Sequence, residues 1–178
     1  MFQELSEQEE LRREKLAELK KLGVDPYPAE EFKINVTAQD IKENYERDKL
    51  NYKDISIAGR IMSVRDMGKA AFAVIQDSTD RIQIYVRRDD ICPNEDDKVL
   101  YDIVWKKLID LGDIIGIEGY VFTTKTGETS IHVTSFKLLS KSLKPLPVVK
   151  TDADGNAFDE VSDPEFRYRQ RYVDLIIN

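Results

Sequence analysis

The hydrophobic period of the chain changes three times along its length. Leu11, Leu16, Leu19 and Leu22 recur at helical spacing among Glu, Lys and Arg, which predicts an amphipathic helix over Glu7 to Leu22 with a narrow apolar stripe. Gly23 ends it, and Pro26 and Pro28 block continuation. Two readings are open: a helix that simply docks its stripe on its own domain, or one whose opposite, charged face also touches a ligand or partner. A shorter helix is expected from Thr37, because Thr37 and Asp40 stand near capping-box spacing ahead of Ile41 and Tyr45. From Lys53 the period falls to two. Ile55, Ile57 and Ile61 alternate with polar neighbours through Asp66, Met67-Gly68-Lys69 turns the chain, and Ala71 to Gln76 returns as a second strand. After an Asp77–Asp80 hairpin loop, the third strand alternates most clearly, with Ile82, Ile84 and Val86 on one face and Arg81, Gln83, Tyr85 and Arg87 on the other. A helical period returns over Asn94 to Leu111, with Val99, Leu100, Ile103, Val104, Leu108 and Leu111 as its apolar face and Gly112 as its stop. Two more strands follow, Asp113 to Thr123 and Thr129 to Leu139, joined by Thr124-Lys125-Thr126-Gly127-Glu128.

Three strands, a helix and two strands is the order of an OB-fold, a five-stranded Greek-key barrel with a helix between strands 3 and 4. The expected fold class is therefore mainly β with flanking helices and an N-terminal helical extension. Gly59 and Gly119, inside strands, suit the bends of so small a barrel. The expected organisation is a helical extension over 1–52, the barrel over 53–140 and an extended Pro-, Asp- and Gly-rich linker over 141–163. A helix begins near Arg167 and runs to Ile176, too short to be stable alone, so more protein is expected after Asn178.

Composition narrows the function. The 178 residues hold one ordinary domain with appendages, and 34% charged residues describe a heavily solvated surface. Neither a membrane span nor a secretory leader is expected, and a single Cys92 with a single His132 leaves no disulfide framework and no ordinary zinc site. A reducing cytoplasm is the expected location. The net charge of −7 argues against a polyanion partner for the molecule as a whole. Its distribution argues otherwise, since residues 60–88 carry six cations against three carboxylates, a local +3. Charges within about one Debye length, roughly 8–10 Å, set the potential at contact, so such a patch can steer a polyanion.

OB barrels bind single strands on the face of strands 2 and 3, where bases stack on aromatics. Phe72 on the second strand and Gln83 on the third can meet across the hairpin, Arg65 adds a cation, and Glu128 offers an acceptor beside the last strand. Lys69, Arg81, Tyr85 and Arg87 are weaker candidates on the same surface. Taken singly, each has a plainer reading: Phe72 as core, Gln83 as an outward polar residue, Arg65 paired with Asp66 or Asp80, Glu128 as a solvated turn residue, His132 as an ordinary strand residue. The set on one sheet favours the binding surface. No catalytic constellation is present: there is no phosphate-cradling glycine loop, no nucleophile with a nearby base and no ordered carboxylate pair.

The stretches REKLAELKKLGVDPYP, AGRIMSVRDMGKAAFAVIQDSTDRIQIYV, LGDIIGIEGYVFTTKTGETSIHV, LLSKSLKPLP and DPEFRYRQRYVDLI resemble the N-terminal region of bacterial-type class II lysyl-tRNA synthetases. Aspartyl- and asparaginyl-tRNA synthetases are similar in the barrel, while the MGKA turn, the KTGE loop and RYRQRY favour lysine. The resemblance implies that the barrel binds the tRNA anticodon, with Phe72 stacked on the central uridine, Arg65 and Gln83 recognising it, and Glu128 contacting a flanking base. It implies that 164–178 begins the catalytic domain with the motif 1 helix of the homodimer interface. The chain alone would be inactive and without cofactor, because the ATP-holding Arg and Glu of motif 2 and Arg of motif 3 have no counterpart here; ATP and Mg2+ would belong to the parent ligase. Two other readings compete, an unselective single-strand binder and an interaction scaffold in which Phe72 is core.

Overall fold

A computed structural model of the chain describes residues 5–94, 97–147, 150–151, 157–158 and 164–177. Residues through Lys144 make one compact unit and those from Pro145 a second. The first unit opens with helix α1 (Glu7–Lys21), started by a capping box in which the Ser6 hydroxyl and the Glu9 carboxylate satisfy each other's backbone amides. Its end is a Schellman motif: Gly23, at φ +77°, donates to Lys20 and Val24 donates to Leu19. Only Leu19 of the expected stripe is fully buried, while Leu11 and Leu22 are exposed. Helix α1 instead docks through cations. Buried Arg12 donates from its Nη atoms to the carbonyls of Leu111, Ser142 and Lys144, and Lys15 bonds the Asp110 carboxylate.

Helix α2 (Ala38–Asn44) is capped by Thr37, whose hydroxyl accepts from the Asp40 amide. A 3-10 turn (Lys49–Tyr52) leads into a closed barrel of β1 (Ile55–Asp66), β2 (Ala70–Gln76), β3 (Arg81–Arg87), β4 (Ile114–Thr123) and β5 (Thr129–Ser140). The order around the barrel is β1-β2-β3-β5-β4, closed by antiparallel β1–β4, and β3–β5 is its parallel pair. Ile57, Ile61, Ile75, Ile82, Ile84, Ile115, Ile117 and Ile131 fill the interior. These β-branched side chains suit a pleated surface buried on one side. Gly119 stands where β4 and β5 slip register, and a Cβ there would fall 1.9 Å from the His132 carbonyl oxygen, so no other residue fits without moving the strands.

Several expectations need correction. The alternation expected through Asp66 stops at Met62: after a register slip between Ile61 and Ser63 the rest of β1 stays paired with β2 but runs beyond its pairing with β4, with 63–66 exposed. A one-turn α3 (Arg88–Ile91), which the hydrophobic pattern did not predict, directly follows β3. Of the helix expected over Asn94 to Leu111, the structure forms a π-helix over Leu100–Leu108. Its buried face is Tyr101, Val104, Trp105 and Leu108, whereas Val99 is exposed. The two aromatics offer more area to bury than the aliphatics beside them and set the phase. Trp105 meets Phe136 edge-on, with ring centroids 5.4 Å apart.

Of the linker expected over 141–163, residues through Lys144 belong to the first unit, where Lys141 is buried. From residue 145 to 163 most of it lies outside the described residues; in the second unit β6 (Lys150–Thr151) pairs antiparallel with β7 (Ala157–Phe158). The helix expected from Arg167 is two, α4 (Pro164–Arg169) and α5 (Arg171–Ile177), broken at Gln170, whose carbonyl accepts from both Val173 and Asp174. Arg167 spans the break with a 2.7 Å bond to Asp174.

Candidate nucleic-acid interface

The outer face of the barrel is laid out in two cross-strand rows. In the first, Arg65 pairs with Phe72, Phe72 with Tyr85, Tyr85 with His132 and His132 with Tyr120, so that one line of side chains crosses β1, β2, β3, β5 and β4. The second runs Ser63, Val74, Gln83, Ser130 and Phe122 on the same strands. A period of two puts every member on the side away from the isoleucine core. Phe72 is half-buried on this outer face, between buried Ala71 and Ala73, and is not a core residue.

The rings touch. Centroids of Phe72 and Tyr85 are 5.0 Å apart, Tyr85 and His132 5.2 Å, Phe122 and His132 5.8 Å, all within the range of favourable aromatic pairs. His132 is held further by the Asp90 carboxylate of α3, 2.6 Å from Nε2. Gln83 donates from Nε2 to the Ser130 hydroxyl at 2.8 Å, which fixes its amide and leaves its carbonyl oxygen as an acceptor toward the cleft.

An open cleft of about 640 Å³ lies over this floor. One wall is the β1–β2 hairpin, with Val64, Arg65 and Met67, and the other is Thr124, Lys125 and Thr126 of the β4–β5 loop. Both walls are built by short polar bonds: Met67 and Ala70 close the first turn, with Gly68 at φ +89°, and Thr124 and Glu128 close the second around Gly127. Exposed Val64 and Met67 face the cleft from the hairpin, an apolar lip beside a cation.

Of the residues singled out in the sequence, Arg65, Phe72, Gln83 and Tyr85 line this cleft together. Arg65 is not paired with Asp66 or Asp80; Asp66 lies 3.6 Å from Lys106 and Asp80 2.7 Å from Lys42. Glu128 is exposed at the end of the loop that forms the second wall, but its side chain is not part of the lining. Lys69 and Arg87 sit at the same end of the barrel as Arg65, for Ala70 pairs with Arg87. Arg81 does not. It lies at the opposite end of β3, roughly 20 Å of strand from Arg87, and donates to Gln76 beside the Asp77 hairpin.

Tyr120, Phe122 and the role of His132 escaped the sequence reading. The signal was present in the β4 and β5 alternation, where all three occupy outward positions. Strand order was the missing link, since only the β3–β5 pairing brings them beside Tyr85.

OB-fold nucleic acid binding domains match residues 55–139, which is the barrel just described. The chain is similar over 98% of its length to the lysine–tRNA ligases of Porphyromonas gingivalis W83 and Azobacteroides pseudotrichonymphae, at 56% identity over 176 and 174 residues. It is 53% identical over 177 residues to that of Christiangramia forsetii. The chain spans about a third of the length of these curated relatives, 30%, 34% and 30% respectively. Closed barrel, strand order and matched residues agree: residues 55–139 match the tRNA anti-codon family of OB-fold nucleic acid binding domains, on a chain similar along its length to lysine–tRNA ligases.

Proposed function

We propose that the barrel reads the anticodon of a lysine tRNA on behalf of a ligase that joins lysine to that tRNA. The observation that carries this is the meeting of Arg65, Phe72 and Gln83 around one cleft, where a ring, a fixed amide and a cation face the same space. A base laid on Phe72 gains roughly 1–3 kcal/mol from stacking. The Gln83 amide then presents a fixed edge to the base, which distinguishes uracil from the other bases by its donors and acceptors. Arg65 is placed to meet a phosphate or base edge at the hairpin. Glu128 contacts a flanking base from the second wall, and Lys69, Tyr85 and Arg87 support the same strand.

For the whole protein the reading adds ATP with Mg2+, a lysyl-adenylate intermediate, a homodimer and a cytoplasmic location. We assign activation of lysine to the portion of the relatives' length that this chain does not span. None of the described helices is long and apolar enough to cross a membrane.

The test is a titration of anticodon stem-loops. A loop with a central uridine should bind at least about tenfold more tightly than one with any other central base, a difference of about 1.4 kcal/mol. Phe72→Ala should remove most of that preference and leave the barrel folded, because Phe72 lies outside the core. Equal affinity for all central bases would replace this reading with an unselective single-strand binder.

A further inference from the structure

The first cross-strand row does not end at the cleft. Past Tyr85 it continues through His132 to Tyr120 on β4, three strand steps from Phe72, roughly 14 Å away. Tyr120 and His132 are the most nearly parallel ring pair among the described residues, with centroids 4.8 Å apart and planes 9° from coplanar. His132 is fixed on its other sides by the edges of Tyr85 and Phe122 and by the Asp90 carboxylate. Tyr120 is thus held flat against an immobile ring, yet it remains 39% exposed. A solvated aromatic with one face covered and its orientation fixed is a prepared stacking surface: little side-chain freedom is left to lose when a base settles on it.

We propose that the Tyr120–His132 pair is a second base-stacking platform, which takes a nucleobase of the same single strand beside the one on Phe72. The proposal rests on the reading of this face as the nucleic-acid site. A cross-strand pair that only stabilised the sheet would explain the contact between the two rings, but not the alignment of an exposed ring with Phe72 and Tyr85 along one row that borders the cleft. The spacing puts the two platforms too far apart for one base. They are joined by Tyr85 and Phe122, over which the connecting backbone would pass. Tyr120 touches the base; His132 is a positioning residue that keeps Tyr120 flat, and Asp90 orients His132.

The test uses this chain and an anticodon stem-loop with uridines at the three central loop positions. It is compared with two further stem-loops, each carrying an abasic nucleotide on one side of the central uridine. Tyr120→Ala should weaken the intact loop by about 5- to 150-fold, the span of one base–aromatic stack. It should leave unchanged the affinity for one of the two abasic loops, the one that lacks the stacked base. Tyr120→Phe should bind like the parent. Tyr120→Leu keeps bulk against His132 and so guards the fold, but should behave like Tyr120→Ala. If either non-aromatic variant weakens all three loops equally, or none of them, the proposal is overturned. Loss of central-base preference in Phe72→Ala is scored separately: its absence would remove the anticodon reading, whereas its presence with a silent Tyr120 would remove only the second platform.

Discussion

Tyr101 lies fully buried under the first hairpin, and its hydroxyl donates to the Gly68 carbonyl at 3.3 Å. Burial, then the carboxylates of Asp66 and Asp102, push its phenol up to about 12 from an ordinary 10.0. Between those values the folded chain keeps a proton that the unfolded chain gives up, so stability falls as pH rises through this window, by about 3 kcal/mol in all. Tyr101→Phe should lose that dependence, and urea midpoints followed from about pH 9 to pH 12 will show it; an undiminished slope in the Phe variant would assign the effect to another group. Phe72 illustrates what single residues conceal. In Ala-Phe-Ala-Val-Ile both phases of a period-two pattern are apolar, so the sequence does not say which faces in. The structure turns the small alanines and Ile75 inward and leaves the ring outside.

Among the elements, the junction between α1, the turn after the π-helix and the end of β5 is held by buried charge. The Lys141 ammonium, wholly inaccessible, bonds Asp110 at 2.6 Å and Asp113 at 2.8 Å, and Ser142 and Asp110 donate their amides to the Asp113 carboxylate. Burial raises the Asp113 carboxyl despite Lys141. For Asp110, burial pushes the same way, but the hydrogen bonds from Lys141 and Lys15 outweigh it and hold the group below the usual range. Lys141→Met leaves a buried carboxylate without its counter-charge and should destabilise the chain by about 3–5 kcal/mol at neutral pH. The loss should shrink in acid, as pH falls through the raised Asp113 value and the carboxyl takes a proton. Chemical unfolding at pH 7 and pH 4 measures both; a Lys141→Met/Asp113→Asn double variant should recover much of the difference. None of this was legible from hydrophobic spacing. The pattern placed α1, α2 and all five strands within a few residues, because their alternation or capping is local. It missed the dock of α1, since Arg12 and Lys15 read as solvated until Leu111, Asp110 and Ser142 come from far along the chain to meet them. It also missed the one-turn α3 and began the following helix too early, at Asn94 rather than Leu100.

At the scale of the molecule, a net charge of −7 coexists with a cationic end at Arg65, Lys69 and Arg87. Three phosphate contacts with a single strand give a slope of about −2 in log affinity against log salt, or about a twentyfold loss between about 50 and 200 mM. Fluorescence anisotropy with a labelled stem-loop across that range checks the number. A flat response would leave the aromatic rows as the whole interface, and a slope nearer −3 would bring Arg81 back into contact. The fold class was legible here because strand–helix–strand order is short-range information. The cleft was legible as far as β1, β2 and β3, where Arg65, Phe72, Gln83 and Tyr85 stand out, whereas the outward rings of β4 and β5 were not.

That division has a consequence for how the surface comes into being. Phe72 and Tyr85 meet within one local hairpin and Tyr120 and His132 within another, but Tyr85 and His132 meet only when the parallel β3–β5 ladder closes, joining residues such as Gln83 and Ser130 that are 47 apart in sequence. Closing a loop of that length is entropically slow compared with forming either hairpin. During synthesis or refolding each hairpin can therefore assemble its own pair of rings early, while the continuous row exists only after the barrel has shut. An incompletely folded chain offers half of the row, so on the proposed reading tight binding of a single strand would itself report that folding has finished.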